Sequence, residues 1–429
     1  MKRIAIVGSG AGGAMMAAEL AGKAEVLLLE AGAPFHSFAW PISLLDALRP
    51  TRLIRDERMI QWFFPAMRVT RASNGIPLVW GRCVGGSTTL SCGNAVDCNE
   101  DLKQIGLDLN EEFSALKSEL PITLEHQHLW HPPTHQLFNA CRESGWEVEI
   151  VPKMGNYQQC RNCGHCVLGC PHHIKWHAGY MVEKALQKGA KLLPGCEVTD
   201  LEIENHHVTG VRVRQGYSRR LWPFDAVILC AGGIGTPRIL QALGIETSPR
   251  FFIDPVLTLM ARLPASWQNR ELPMPFISRR DHVILSPYFD PLSFFFHPQW
   301  RASKASDIFG IMIKLADDAH GRITRRKIYK DLTPDDHRHL NAAREDIYRL
   351  FKLMGIQRSQ IVEGLINAGH PGGSLPLTEA EASTLHHGFL PENLYVADAS
   401  LLPHSLGKPP ILTIMALAKR IARQITKIW

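Results

Sequence analysis

Residues 4–30 read IAIVGSGAGGAMMAAELAGKAEVLLLE, and the fold follows from how this stretch divides. Ile4–Val7 is apolar and largely β-branched, which predicts a strand, and it stops at Gly8-Ser9-Gly10-Ala11-Gly12-Gly13. Ala14–Leu20 is a run of good helix formers, and Glu25–Leu29 is a second apolar stretch ending in Glu30. Strand, glycine turn, helix and strand make a βαβ unit. In that context Gly8-x-Gly10-x-x-Gly13 is a dinucleotide fingerprint, completed by Glu30 17 positions after the last glycine. Glycines let the backbone approach a pyrophosphate, whose charge rests at the helix N-terminus. Glu30 is placed to accept hydrogen bonds from the adenosine ribose. The motif alone fits NAD and FAD equally.

The remainder of the chain bounds this reading. At 429 residues and 48.0 kDa it suits one large or two intimate domains. Hydrophobic residues at 45% and charged residues at 21% exclude a disordered or fibrous chain. Uncharged apolar stretches such as Ile411–Ala418 fall far short of the roughly 18 residues a membrane span needs. Met1-Lys2-Arg3 runs directly into the first strand without the pattern of a secretory signal, which points to the cytoplasm. The net charge of +6 is spread along the chain, so no nucleic-acid partner is implied.

Further strands are expected at Lys191–Leu193, Val198–Ile203 and Val208–Val213, with a turn at Asn205-His206-His207, and at Ala226–Cys230. A helix is expected to start near Thr236-Pro237. Between about residues 246 and 365 the text turns Pro-rich, aromatic and alternating, as in Ser286–Phe296. It predicts an antiparallel sheet followed by a helix over Asp335–Met354. Strand Leu394–Ala397, Asp398, a Pro/Gly loop and a helix from Pro410 to the end restore the first pattern. The nucleotide-binding elements are therefore split over residues 1–100, 190–250 and 389–429. A partly helical insertion, 101–189, carries a cysteine loop at 155–180, and 251–388 forms a second domain.

Two features favour FAD over NAD. Gly81-Arg82-Cys83-Val84-Gly85-Gly86-Ser87-Thr88 is a second close-approach loop, and Asp398 stands at a strand end before a helix. Such distant support suits a ribityl chain and ring extending away from the first βαβ unit. The blocks GSGAGG…LLLEAG, GRCVGGST, AVILCAGGIGTPRIL, AGHPGGS and VADASLLPHSLGKPPILTIMALAKRIA resemble, in order, those of the glucose–methanol–choline (GMC) oxidoreductases. The resemblance implies an α/β fold: a Rossmann-like FAD-binding domain assembled from discontinuous segments, with a smaller α+β substrate domain built on an antiparallel sheet. It implies FAD held by the positions of Gly8, Gly10, Gly13, Glu30, Arg82, Gly85, Gly86, Ser87, Val198 and Asp398. Pro410 fits the first position of the closing helix, whose positive end the family aims at the flavin pyrimidine. His370, in Gly369-His370-Pro371-Gly372-Gly373, matches the family's base, and a neutral imidazole suits removal of a hydroxyl proton. Pro409 stands where the family has a second, hydrogen-bonding residue. Lys408 and His404 are the substitutes within reach in sequence.

Of ten cysteines, four form the run Cys160-x2-Cys163-x2-Cys166-x3-Cys170-Pro171. In a chain without a signal peptide this reads as metal binding before disulfides, and the spacing matches a ferredoxin run. It resembles the cysteine loop of an iron–sulfur GMC branch, the catalytic subunits of bacterial FAD-dependent sugar dehydrogenases, which also carry a downstream lysine like Lys175. The extra Cys163 favours a [4Fe–4S] over a [3Fe–4S] cluster, and Cys92 or Cys196 is a possible remote ligand. A Zn²⁺ tetrahedron and two disulfides are the alternatives. The implied function is a dehydrogenase oxidising the CH–OH of an alcohol or polyol. Its electrons would leave singly through the cluster to a carrier protein or partner subunit, which the basic His172-His173-x-Lys175-x-His177 could meet. An electron-transfer subunit without alcohol chemistry and a zinc-stabilised GMC enzyme are the other readings. Tyr288–Phe296 and Trp300 are candidate pocket residues.

Overall fold

The computed structural model describes residues 1–38, 40, 46–47, 49–51, 54–301 and 303–428. Five strands form a parallel sheet in the order Leu394–Val396, Ala226–Leu229, Arg3–Val7, Glu25–Glu30, Lys191–Pro194. The first strand of the chain lies at its centre, where Ile4, Ala5 and Ile6 have no exposed surface. Burial on both faces is why it reads as an unbroken apolar run.

The helix Ala11–Leu20 lies on this sheet and packs against the closing helix Ile411–Ile428. Small residues make the approach possible. A Cβ on Gly12 would stand 1.7 Å from the Ala397 carbonyl oxygen, and one on Gly13 1.8 Å from that of Gly8. The third glycine of the fingerprint therefore serves helix packing. The closing helix runs to Ile428, and Trp429, which the sequence pattern places in it, lies outside the described residues.

Strands Glu197–Glu204, His207–Gln215 and Ser218–Pro223 form an antiparallel meander. Asn205 and His206 turn its first hairpin with φ of 47° and 60°, the left-handed pair a two-residue turn demands.

The larger sheet runs Met67–Arg71, Pro77–Gly81, Asn367–Ala368, Pro255–Arg262, Ile308–Leu315, Val283–Pro287, Phe276–Arg280, Val148–Ile150, and Ile361–Glu363 also pairs with Pro255–Arg262. Every pairing is antiparallel except Asn367–Ala368 on Pro77–Gly81. The expected antiparallel sheet is present, and it recruits strands from 67–81 and 148–150 that the sequence pattern does not mark. The helix Pro334–Leu353 packs on it, opened by a capping box in which Thr333 and Asp336 bond reciprocally.

Two expectations are corrected. The aromatic stretch to Phe296 is not strand: Pro287 ends one, and Pro291–Phe296 is a short helix. Asp290 accepts from the Leu292 N–H at 3.0 Å and Pro291 opens the helix, so cap chemistry overrides β-propensity. The helix expected near Thr236 begins at Gly232. Its first N–H donates to Asp398 Oδ2 at 2.8 Å, a cap 166 residues away in sequence that no local pattern reveals.

Replacing Gly13 by alanine forces a Cβ onto backbone, which no rotamer relieves. We expect a loss of about 1–3 kcal/mol, read as a lowered denaturation midpoint. At Gly388, where nothing lies within 4 Å of a built Cβ, no such overlap arises.

Candidate active site

The C-terminal ends of the parallel strands and one face of the larger sheet enclose a cavity of about 740 Å³. That is within the range of about 300–1,000 Å³ typical of cofactor and ligand sites. Two glycine loops form its floor. Gly10 and Gly86 abut so closely that a Cβ on Gly86 would stand 2.9 Å from the Gly10 Cα. Gly8 lies against the Cys230 carbonyl, at 2.3 Å from a built Cβ, with φ of 99°. Between them the backbone is left bare toward the cavity.

Glu30 is buried there, accepting from the Ser9 N–H at 3.0 Å, the Ser9 hydroxyl at 2.6 Å and the Gly32 N–H at 2.7 Å. Burial raises its pKa while these donors oppose the rise. Arg82 pairs with Glu197 at 2.8 Å, and both line the cavity. Ser87 lines it too, its hydroxyl accepting from the Gly81 N–H at 3.0 Å. Asp398 accepts from the Gly232 N–H, the Thr236 hydroxyl and the Ser400 N–H, fastening two helix starts to one wall. Val198 and Pro410 also line it.

Gly13 and Gly85 stand behind it. Gly85 has φ of 95° and donates its N–H to the Ser9 hydroxyl at 3.1 Å. The closing helix starts at Ile411, and the Pro410 carbonyl accepts its first bond from Ile414 at 2.9 Å. Pro410 is thus the residue before the first turn rather than within it, and the helix N-terminus faces the cavity.

His370 lines the opposite wall. The segment that carries it is bridged to the residues leading into Pro255–Arg262 by Phe252 and Gly372, which exchange two backbone bonds of 3.1 Å. Nδ1 of His370 lies 3.5 Å from Asp254 Oδ2, and the imidazole is 30% exposed, toward the cavity it lines. Asp254 also binds Lys314 at 2.5 Å, each side chain 1% exposed. Burial works against the Asp254 charge, but Lys314 and then His370 outweigh it and hold the carboxyl down to about 2. Burial lowers the pKa of His370, Lys314 lowers it further and Asp254 opposes, so the ring is neutral at neutral pH. Of the expected substitutes for Pro409, Lys408 pairs with Asp101 at 2.8 Å, and neither it nor His404 is among the residues lining the cavity.

The cysteine loop lies beside this site. Val167 and Leu168 line the large cavity, while Cys160, Cys163, Cys166 and Cys170 line a neighbouring recess with Tyr157 and Lys175. None of the ten cysteines is joined in a disulfide. Burial pushes the Cys166 thiol up to about 12. Among the described residues, the single trio of His, Cys, Asp or Glu ligand atoms within 4.8 Å of one another is Asp281, His282 and His339 at the surface. The four sulfurs are thus set wider than the roughly 3.8 Å edges of a zinc tetrahedron with bonds of about 2.3 Å.

Lys175 does not serve a docking surface: it is 1% exposed, its ammonium bonded to the Thr88 and Thr89 carbonyls at 3.0 Å. Burial also lowers the His177 pKa to about 4. Cys196 lies at the end of the parallel sheet, where its N–H donates to the Glu30 carbonyl at 2.8 Å. Cys92 lines the large cavity, burial raises its thiol pKa, and its carbonyl accepts from the Lys153 ammonium at 3.4 Å. Trp300 is 4% exposed and packs in a core with Phe289 and Phe294, while Tyr288, Phe295 and Phe296 line the cavity.

Residues 6–257 match the GMC oxidoreductase family model, and residues 175–424 match that of the FAD dependent oxidoreductases. The chain belongs to the GMC oxidoreductase family. It is accordingly an FAD-dependent oxidoreductase, and the cavity suits that cofactor: bare glycine backbone, a helix N-terminus and the buried Glu30 carboxylate converge on one space. A Methanocaldococcus jannaschii protein, MJ1450, is 26% identical over 99% of this chain and 100% of its own length. Long-chain-alcohol oxidase FAO4A of Arabidopsis thaliana is 21% identical over 99% of this chain and 68% of its own. Pyridoxine 4-oxidase from Mesorbium loti superposes with a TM-score of 0.73 at 18% identity, covering 99% of each chain.

Sequence reasoning missed Asp254, Lys314, Lys153 and Tyr157. Lys314 had a signal, a lone charge in the otherwise apolar strand Ile308–Leu315. Asp254 had none.

Glu30→Gln keeps the shape but replaces the carboxylate that accepts from Ser9 and Gly32. With charged hydrogen bonds worth about 1.5–3 kcal/mol, we expect flavin retention to weaken about 10- to 100-fold, read as flavin content after gel filtration.

Proposed function

We propose that this chain oxidises the CH–OH group of a small-molecule alcohol, with His370 as the base. The observation that carries it is the imidazole itself: Nδ1 faces Asp254 at 3.5 Å, which leaves Nε2 as the lone-pair nitrogen toward the cavity. FAD, when bound, supplies the acceptor for the hydride leaving the carbinol carbon. Gly8, Gly10, Gly86, Glu30, Arg82, Ser87, Val198 and Asp398 would hold it, with Gly13 and Gly85 setting their backbone. The N-terminus of the closing helix at Pro410 would favour negative charge on its reduced ring. The aromatic wall of Tyr288, Phe295 and Phe296 excludes water from the carbinol and favours an apolar alcohol.

We further propose that Cys160, Cys163, Cys166 and Cys170 hold an iron–sulfur cluster, making the chain a dehydrogenase that serves a redox carrier or partner subunit. Three buried donors support this. Tyr157 is 1% exposed with its hydroxyl unpartnered, and it lines the cysteine recess. Lys153 and Lys175, 0% and 1% exposed, have no carboxylate partner among the described residues. Burial lowers both their pKa values to about 8, so both ammoniums call for nearby negative charge. Four thiolates on a cluster supply it, and the cluster when bound has the capacity to take single electrons. A second reading, an oxidase using O₂, is favoured by the names of the alcohol and pyridoxine oxidases among the relatives.

Under anaerobic conditions, an alcohol substrate should bleach the flavin, and His370→Ala should slow bleaching about 10²- to 10⁴-fold. Because the base acts neutral and its pKa lies below 6.5, the parent rate should rise with pH through a limb below 6.5 and level above it. Bleaching by His370→Ala at the parent rate would refute the base assignment.

Anaerobically purified protein should contain about four irons, and as many acid-labile sulfides, per flavin. Cys166→Ser should lower both while leaving the flavin. Flavin with zinc and no sulfide, or with neither metal, would overturn the cluster and leave the oxidase reading.

A further inference from the structure

Pro409 leaves the base without the side-chain donor expected of the closing loop, and the larger sheet presents other groups in its place. His370 follows Asn367–Ala368 by two residues, Asp254 immediately precedes Pro255–Arg262, and Lys314 sits on Ile308–Leu315. The register brings them together: Pro255 pairs with Ala368, and Val256 with both Asn367 and Lys314. Three neighbouring strands thus deliver a base, an acid and a cation to one end of the sheet, and all three residues line the cavity.

We propose that Asp254 and Lys314 are the positioning residues of this oxidoreductase, Asp254 fixing the Nδ1–H form of His370 and Lys314 holding that imidazole neutral. The inference rests on His370 being the base.

Asp254 is built to stay in place and stay ionised. Its Oδ1 accepts from the Ser405 hydroxyl and from the Gly407 N–H at 3.1 Å, while Oδ2 takes Lys314 at 2.5 Å and faces His370 at 3.5 Å. Its φ of 51° is a left-handed conformation for a non-glycine residue, a strain that persists where surrounding bonds over-determine it. Lys314 has Asp254 as its ionic partner and packs beside the cavity. Without the cation, the Asp254 carboxylate would draw a proton onto His370 and disable the base; without the carboxylate, the ring would be free to turn.

Other charged groups lie near this unit: Asp290 accepts from Asn367 at 3.3 Å and lines the cavity, as do Arg238 and Arg325. Asp317 is paired with Lys330 at 2.8 Å behind Ser405. His404, kept neutral by burial, also feels Asp101, Arg250, Asp254 and Lys408. Neither Asp317 nor His404 lines the cavity.

The test is the pH profile of anaerobic flavin bleaching in the holoprotein, using any alcohol that bleaches the parent, with His370→Ala as reference. Lys314→Met should move the acid limb upward by about one pH unit, and Lys314→Arg should restore it. Asp254→Asn should move the limb downward and slow the plateau about 10²- to 10⁴-fold, as loss of the orienting carboxylate does in a catalytic triad. Because Lys314→Met leaves a carboxylate buried alone, the charge-neutral pair Asp254→Asn/Lys314→Met is measured beside it, with flavin content and melting temperature as controls. Slower bleaching with an unmoved limb in the single variants and in the neutral pair would overturn the proposal, leaving a structural ion pair. If His370→Ala itself bleaches at the parent rate, the base assignment fails instead, so the two failures are distinct.

Discussion

The contact between Gly10 and Gly86 is the constraint on which the site depends. Two loops from distant parts of the chain meet backbone to backbone, and any side chain at Gly86 would stand within 2.9 Å of Gly10. Their closeness turns two separate turns into one floor of exposed amides. Ser9 locks the pair: its hydroxyl donates to Glu30 and accepts from the Gly85 N–H. The acid that ends the second strand, the fingerprint and the second glycine loop are thereby one hydrogen-bonded unit. Burial of Glu30 is tolerable because three donors face it, and those donors are the loops that frame the cavity.

A different rule governs the opposite wall, where charge is buried in balanced sets. Asp254 with Lys314 and Asp317 with Lys330 are two ion pairs bridged by Ser405, all nearly inaccessible to solvent. Buried pairs contribute little net stability compared with apolar packing, yet removing one partner is expensive. Such a network persists for what it positions. Here it places a neutral imidazole at a cavity edge and tethers the loop 405–407 that leads into the closing helix. Fold and chemistry share the same bonds at this point.

Legibility in the sequence follows the range of the interaction. The first βαβ unit was readable because strand, turn, helix and acid lie within 30 residues and each has its own local signature. The meander hairpin was readable for the same reason, since Asn205 and His206 are residues that tolerate a left-handed turn. The GMC membership was readable from five spaced blocks. What failed was governed at a distance. Asp398 moves the start of a helix by capping Gly232, and Asp290 converts an aromatic run from strand to helix. The Asp254–Lys314 unit needs three strands in register before its members meet. A lysine in an apolar strand announced that something would pair with it, but not what.

The cysteine run shows both sides of this within one segment. Its spacing is local, whereas the buried polar groups around it come from elsewhere. Lys153 lies before the loop on a short strand, Lys175 follows it, and Tyr157 lines the recess with its buried hydroxyl unpartnered. A buried phenol and two buried ammoniums are each costly alone. A neutral set of four protonated thiols does nothing to offset them. The cluster proposed above would supply an acceptor for the Tyr157 hydroxyl and negative charge for two ammoniums that bond only to neutral oxygens. Lys175 likewise belongs inside the protein and not on a docking face: the Thr88 and Thr89 carbonyls tie its ammonium to the loop that also forms the floor of the cavity.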